Sequence, residues 1–314
     1  LEITFPALAS LNDAVSVAYN TQFGATKTVY KEFSSENPST GAASVYPRLN
    51  MIPGLRQWVG DREAHNVSIA TFMINNNLYE LTIEIERTDI EDDKLSLLTP
   101  VALAMGQNAA RLPDILTAVL LKAGHTTMIY DNQNMFDTAH PDYTSTGAST
   151  TASNYSSGSS PVWYLLDTSG PQRATIYQPR RPFVVIPQFS MTDPQVFATK
   201  TFRWGVDGRC NVGFGLWQYG YMSQQPLTIE NIIAARTAMA SFRRPDGTPL
   251  GIAMESSELK LVTGSSNYPN ARALAEDPKV PNTLSNLYTT STTVTDVPNV
   301  ARNLFKALEN PWLN

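Results

Sequence analysis

The chain has 314 residues, of which 42 % are hydrophobic and 16 % charged, with 23 Lys and Arg against 28 Asp and Glu for a net charge of −5. At roughly 100–200 residues per domain this length fits two or three compact lobes, and a chain of that size buries about three quarters of its unfolded surface without a metal or disulfide staple. A charge fraction well under the usual quarter, with 13 Tyr, 12 Phe and 5 Trp, excludes disorder and points to surface destined to be covered. The acidic balance argues against sequence-specific DNA binding. A single cysteine, Cys210, excludes an internal disulfide and a thiolate-rich metal site. No apolar run approaches the roughly 20 residues of a membrane span, and Leu1 to Ser10 has no basic region ahead of its apolar residues, so no secretory signal is expected there.

From Pro6 to Asn20, apolar residues at Leu8, Leu11, Val15 and Tyr19 predict a short amphipathic helix that Gly24 ends. Thr26 to Phe33 reads as a strand, with Thr28 and Val29 beside Tyr30. Ser34 to Pro53 is rich in Ser, Asn, Pro and Gly and reads as an extended loop. The clearest strand runs from Leu78 to Arg87, where Tyr79, Leu81, Ile83 and Ile85 alternate with Glu80, Thr82, Glu84 and Glu86. Pairing it with Thr26 to Phe33 would make a two-stranded arm whose long loop needs another subunit to cover it.

Thr99 and Pro100 open a helix rich in Ala, Leu and Met that Gly124 stops, with a kink or junction expected at Pro113. Tyr143 to Ser160 is mostly Ser, Thr, Gly and Ala and reads as a flexible surface insertion, so deletion of Thr144 to Ser159 should leave the fold intact. Strands are expected at Val162 to Leu166, Phe183 to Ile186 and Phe202 to Val206. Gly213 to Met222 reads as a strand under close backbone approach. Thr228 caps a second helix carrying Ile229, Ile232, Ile233 and Met239, before a turn at Asp246-Gly247.

Chemical motifs are sparse. There is no nucleophile elbow, phosphate loop or dinucleotide fingerprint. Asp137, His140 and Asp142 form the most ligand-like cluster, and a metal-assisted hydrolase is the enzyme alternative they support. Asp89, Glu91, Asp92 and Asp93 could form a cation site or a general acid/base pair, but read rather as a solvated acidic turn or as salt-bridge partners for a neighbouring subunit. Arg180 and Arg181, with Arg173, offer a nucleic-acid contact, but between Pro179 and Pro182 the pair reads rather as a loop that forms ion pairs; Cys210 reads as a small buried residue. Trp58 with Asp61 and Arg62 is either local packing or an interface anchor. Absence of catalytic grammar, few charges and a long arm favour a structural, self-associating protein.

A run of motifs in register carries a more specific resemblance. It begins at Leu55-Arg56-Gln57-Trp58-Val59-Gly60-Asp61-Arg62 and continues through Tyr79-Glu80-Leu81-Thr82-Ile83 and Arg87-Thr88-Asp89-Ile90-Glu91-Asp92-Asp93. Met105-Gly106, Ala109-Ala110, Pro113-Asp114, Tyr130-Asp131-Asn132-Gln133, Phe136-Asp137 and His140-Pro141 follow, then Trp163 to Thr168, Gly205-Val206-Asp207, Gly213 to Gln218 and Pro311-Trp312-Leu313. In this order the chain resembles the major head subunit of Mu-like bacteriophages, the gene product T family. The resemblance implies an α+β, Hong Kong-97-like phage capsid fold. Its parts would be an N-terminal arm (1–23), an extended loop (24–90), a peripheral domain (91–227) with spine helix 99–124, and a mainly axial domain (228–314). It also implies a major capsid protein that assembles with itself through hexamers and pentamers into an icosahedral head around double-stranded DNA, contacted without sequence specificity. Portal and scaffold or protease would be partners during assembly; no cofactor, enzymatic activity or membrane partner is expected. Trp58, Asp61, Arg62, Asp89, Glu91, Asp92, Asp93, Arg180 and Arg181 would then belong to the assembly interface. Another self-assembling phage part, a tail or decoration protein, is the structural alternative.

Overall fold

A computed structural model describes residues 4–46, 72–92, 98–170, 172–285 and 296–314. The N-terminal helix α1 (Phe5–Ala25) begins where the Thr4 hydroxyl accepts from the Ala7 N–H and runs one residue past Gly24, to a stop at Thr26, whose hydroxyl donates to the Gln22 carbonyl at 2.7 Å. The strand expected over Thr26 to Phe33 is not formed: Tyr30–Phe33 is a short helix, α2. The buried Asp114 carboxylate accepts from the N–H groups of Val29 at 2.9 Å and Tyr30 at 2.7 Å, and so satisfies donors that a helical turn leaves open. Tertiary capping therefore overrides the β-branched local signal.

Short strands β1 (Ser34–Glu36), β2 (Ala43–Tyr46) and β3 (Phe72–Asn75) follow, then β4 (Asn77–Glu86) and a five-residue helix α3 (Arg87–Glu91). The expected loop from Ser34 thus contains strands as far as Tyr46. Helix α4 (Leu98–Ala123) is the long predicted helix, about 39 Å at 1.5 Å per residue. It passes Pro113 without interruption, and the Thr117 hydroxyl bonds to the carbonyls of Pro113 and Asp114. Next come β5 (His140–Tyr143), β6 (Ser149–Ala152), β7 (Tyr155–Ser156), β8 (Trp163–Asp167), β9 (Thr175–Gln188), α5 (Pro194–Thr199), β10 (Thr201–Phe214) and β11 (Gly220–Ser223). The chain ends through α6 (Ile229–Ser241), β12 (Leu259–Thr263), α7 (Tyr268–Glu276), β13 (Lys279–Pro281), β14 (Asp296–Pro298) and β15 (Lys306–Glu309).

Two sheets organise these elements. A four-stranded sheet has the order β1-β9-β10-β4, and its partner for β4 is β10, antiparallel from Glu86↔Thr201 to Asn77↔Cys210, rather than residues 26–33. Phe202, Trp204 and Val206 of β10 turn inward against α1 and α4, where Leu8, Val15, Ala102 and Met105 close the layer. Gly106 makes that approach possible, since a Cβ there would collide with the Tyr19 carbonyl of α1. The five-stranded sheet has the order β15-β12-β8-β11-β7, with β8 and β12 buried along their whole length under residues of α6 and α7. It joins strands from both sides of residues 227 and 228, so no single cut of the chain separates the two sheets.

The stretch from Tyr143 to Ser160 is not a loose insertion. It forms the β5–β6 hairpin and then β7, an edge of the five-stranded sheet. Asn154, fully buried, donates to the carbonyls of Met135, Trp217 and Gly220 and accepts from the Asp137 N–H. One buried amide that satisfies four backbone groups gives the polar segment the order its composition does not. The glycine–aromatic stretch after residue 213 is likewise not one strand: β10 ends at Phe214, a 3-10 turn covers Trp217–Tyr219, and β11 follows. Close backbone approach does occur there, because a Cβ on Gly215 would overlap the Arg173 carbonyl.

Candidate assembly interface

Trp58, Asp61 and Arg62 lie outside the described residues, as does Asp93. The first three belong to the chain between β2 and β3, which pair antiparallel from Ala43↔Asn75 to Tyr46↔Phe72 and so form a two-stranded root where that segment leaves and rejoins the described residues. That root is fastened to the four-stranded sheet. Gln178 of β9 donates to the Ile74 carbonyl at 3.0 Å and to the Asn76 side chain at 2.9 Å, and Arg180 donates to the Gly41 carbonyl.

Arg180 and Arg181 sit in strand β9 and not in a loop. Pro179 and Pro182 lack the N–H that a regular ladder needs, and the register with β10 slips on both sides of the Arg209↔Arg181 pair. These bulges let consecutive arginines take different partners: Arg180 holds the hairpin root, while Arg181 pairs with Asp207 at 2.6 Å with both side chains partly exposed. Arg209 lies directly opposite Arg181.

Asp89 and Glu91 lie on α3 and Asp92 ends it, its N–H bonded to the Thr88 carbonyl. Glu91 pairs with Arg87 one helical turn back at 2.8 Å. Between α3 and the arginines stretches the outer face of the sheet, where Glu84 accepts from Arg203 at 2.7 Å; that guanidinium holds the Glu84 carboxyl below its ordinary value. Val184 and Ile186 stand on the same face, 46 % and 50 % exposed. The alternating acids of β4 were visible in sequence, but Val184, Ile186, Asp207 and Arg209 could not be assigned to this face before the β4–β10–β9 register was known.

Asp137, His140 and Asp142 do not converge. Asp137 accepts from the N–H groups of Thr138 and Ala139, and Asp142 accepts from the Arg243 N–H at 2.9 Å. His140 is fully buried, its Nδ1 2.7 Å from an Asp131 carboxylate oxygen and its ring stacked on Trp217 at 4.1 Å. Each residue fixes a separate piece of backbone or core, and among the described residues no three His, Cys, Asp or Glu side chains gather as a metal ligand set. Burial pushes the Cys210 thiol up to about 11, as suits a packed cysteine rather than a nucleophile.

The family model described as "Mu-like prophage major head subunit gpT" matches residues 8–300. The Mu-like prophage FluMu major head subunit of Haemophilus influenzae is 35 % identical over 225 residues, 68 % of this chain and 72 % of that one. The major capsid protein of Escherichia phage Mu is 34 % identical over 229 residues, 71 % of this chain and 75 % of that one. Among solved structures, a chain of the bacteriophage JBD30 procapsid superposes with a TM-score of 0.78 at 32 % identity, covering 99 % of this chain and 100 % of that one. A chain of the JBD30 capsid gives a TM-score of 0.71 at 24 % identity over 91 % of each, a likeness of fold. The fold is thus the α+β, Hong Kong-97-like capsid fold, and the chain belongs to the Mu-like prophage major head subunit gpT family, the major capsid proteins of Mu-like phage heads.

Proposed function

We propose that copies of this chain form rings of five and six that tile an icosahedral head around phage double-stranded DNA. The observation that carries this reading is the end-to-end likeness to a procapsid chain at 32 % identity. The work is done by burial and not by bond chemistry: many modest contacts repeated by symmetry close a shell. Five-stranded sheet, α6 and α7 would form the axial unit; four-stranded sheet, α1 and α4 would form the peripheral unit with α4 as its spine. This division follows the sheets in place of a boundary at residues 227 and 228. The β2–β3 hairpin would be the extended loop, with Trp58, Asp61 and Arg62 reaching a neighbour. Portal, scaffold or protease would act during assembly, and an acidic chain lets packaged DNA slide without sequence preference.

Negative-stain electron microscopy of the purified protein tests this reading. Closed angular shells, or rings of five or six, are expected. A field of uniform monomers at every concentration, with and without scaffold, would contradict it.

A further inference from the structure

We propose that the two ends of the β4–β10 ladder are opposite docking patches, so that the basic end of one copy meets the acidic end of the next, head to tail. The inference rests on the shell-building reading above and adds the contact that orients the copies. At one end β4 runs into α3, bringing Glu86, Asp89, Glu91 and Asp92 together, with Arg87 and Lys200 as the cations beside them. At the other end stand Arg180, Arg181 and Arg209, faced from β10 and β4 by Asp207 and Glu80. From Leu78, opposite Arg209, to Glu86 the strand spans about 27 Å at roughly 3.4 Å per residue, well beyond the ~10 Å screening length at 0.1 M salt, so the two patches act separately.

The basic end is left incomplete by the chain's own fold. The register sets Arg181 directly opposite Arg209 and Glu80 directly opposite Asp207, two like-charge cross-strand pairs that are unfavourable alone. A neighbour that brings carboxylates beside the arginine pair and a guanidinium beside the acid pair relieves both, and Glu91, Asp92 and Arg87 are that combination. The acidic end also borders a groove of about 620 Å³ with Met191, Val196 and Phe197 on its wall, which suits the apolar stem of an incoming arginine. A two-fold contact centred on either patch would set like charge against like charge, whereas a head-to-tail contact joins opposite ends and, with a rotation that closes, builds the rings of the shell reading.

Charge reversal with complementation tests the proposal. The Arg181→Glu/Arg209→Glu chain is acidic at both ends, and the Glu91→Lys/Asp92→Lys chain is far less acidic at α3. Each alone should give at least tenfold fewer rings or shells by sedimentation and electron microscopy, while an equal mixture, in which the two chains alternate, should recover rings of six. Should a reversal fail to fold by circular dichroism, the unaltered chain decides: its assembly should weaken as salt rises toward 1 M, where the screening length is about 3 Å. Single reversals that assemble like the unaltered chain, a mixture no better than its parts, or salt-independent assembly would overturn the head-to-tail contact while leaving the shell reading intact. An unaltered chain that never forms rings would overturn that reading as well.

Discussion

The two sheets treat their surfaces in opposite ways. In the five-stranded sheet, every residue of β8 and β12 is buried; Trp163 Nε1 donates to the Gln225 carbonyl and Asn154 serves four backbone groups, while the Tyr164 and Thr263 hydroxyls are buried with no hydrogen-bond partner among the described residues. The four-stranded sheet packs one face on α1 and α4 and, among the described residues, leaves the other to its own charged side chains, with Val184 and Ile186 half exposed. One region buries both faces of its central strands within the chain; the other keeps a face open, the face on which the proposed contact between copies relies. A subunit that must fold before it assembles, and then assemble without unfolding, needs both kinds of surface.

Substitutions should separate the regions by size of effect. Removing the indole of Trp163, 0 % exposed, should cost about 3–5 kcal/mol, a large part of the roughly 5–15 kcal/mol that holds a domain together. Trp163→Ala should therefore yield little soluble protein, and a urea midpoint near that of the unaltered chain would break the claim that this unit is self-sufficient. Asn154→Ala should cost about 3 kcal/mol, because it leaves buried carbonyls without a donor. Deleting Thr144 to Ser159 should abolish cooperative melting for the same reason, and differential scanning calorimetry reads both.

The deletion prediction reverses what composition suggests, and it marks where the sequence is legible. Period-two alternation over residues 78–87 located β4, and the Thr228 cap and the Ala- and Leu-rich run before Gly124 located α6 and α4, because these signals are local. What failed depended on partners far along the chain. Residues 30–33 turn helical because of Asp114, eighty-odd residues away, and the Ser/Thr-rich stretch is ordered by carbonyls near residues 135 and 217–220. The Pro-flanked arginines read as a loop because single-sequence reasoning does not place bulges. Of the candidate interface residues, the acidic run and the arginine pair are visible in sequence as charges, while the face joining them requires the register.

Smaller effects test the polar joints. Burial raises the carboxyl of Asp114 above its ordinary value, against the opposing N–H bonds of Tyr30 and Val29. The folded chain then keeps a proton that the unfolded chain has lost, so this group's contribution to stability falls as pH rises from the ordinary aspartate value of about 3.9 to the raised one. Asp114→Asn should flatten that slope in urea melts, and an unchanged slope would contradict the assignment. By the same sign, the raised Cys210 thiol contributes stability that is lost as pH climbs toward about 11. Native protein at pH 8 should resist iodoacetamide until denaturant is added; rapid labelling of the folded chain would contradict its burial. The smallest effect belongs to the open face: Val184→Ser and Ile186→Ser should move subunit stability by no more than about 0.5 kcal/mol, while both lower the yield of assembled particles.

Hydrogen–deuterium exchange on the same chain before and after assembly tests the contrast between the sheets most directly. Amides of β4, of β9 from residue 178 to 188, and of α3 should gain protection on assembly, while those of β8 and β12 should exchange slowly in both states. Unchanged exchange along β4 and β9, or new protection concentrated in β8 and β12, would contradict the account.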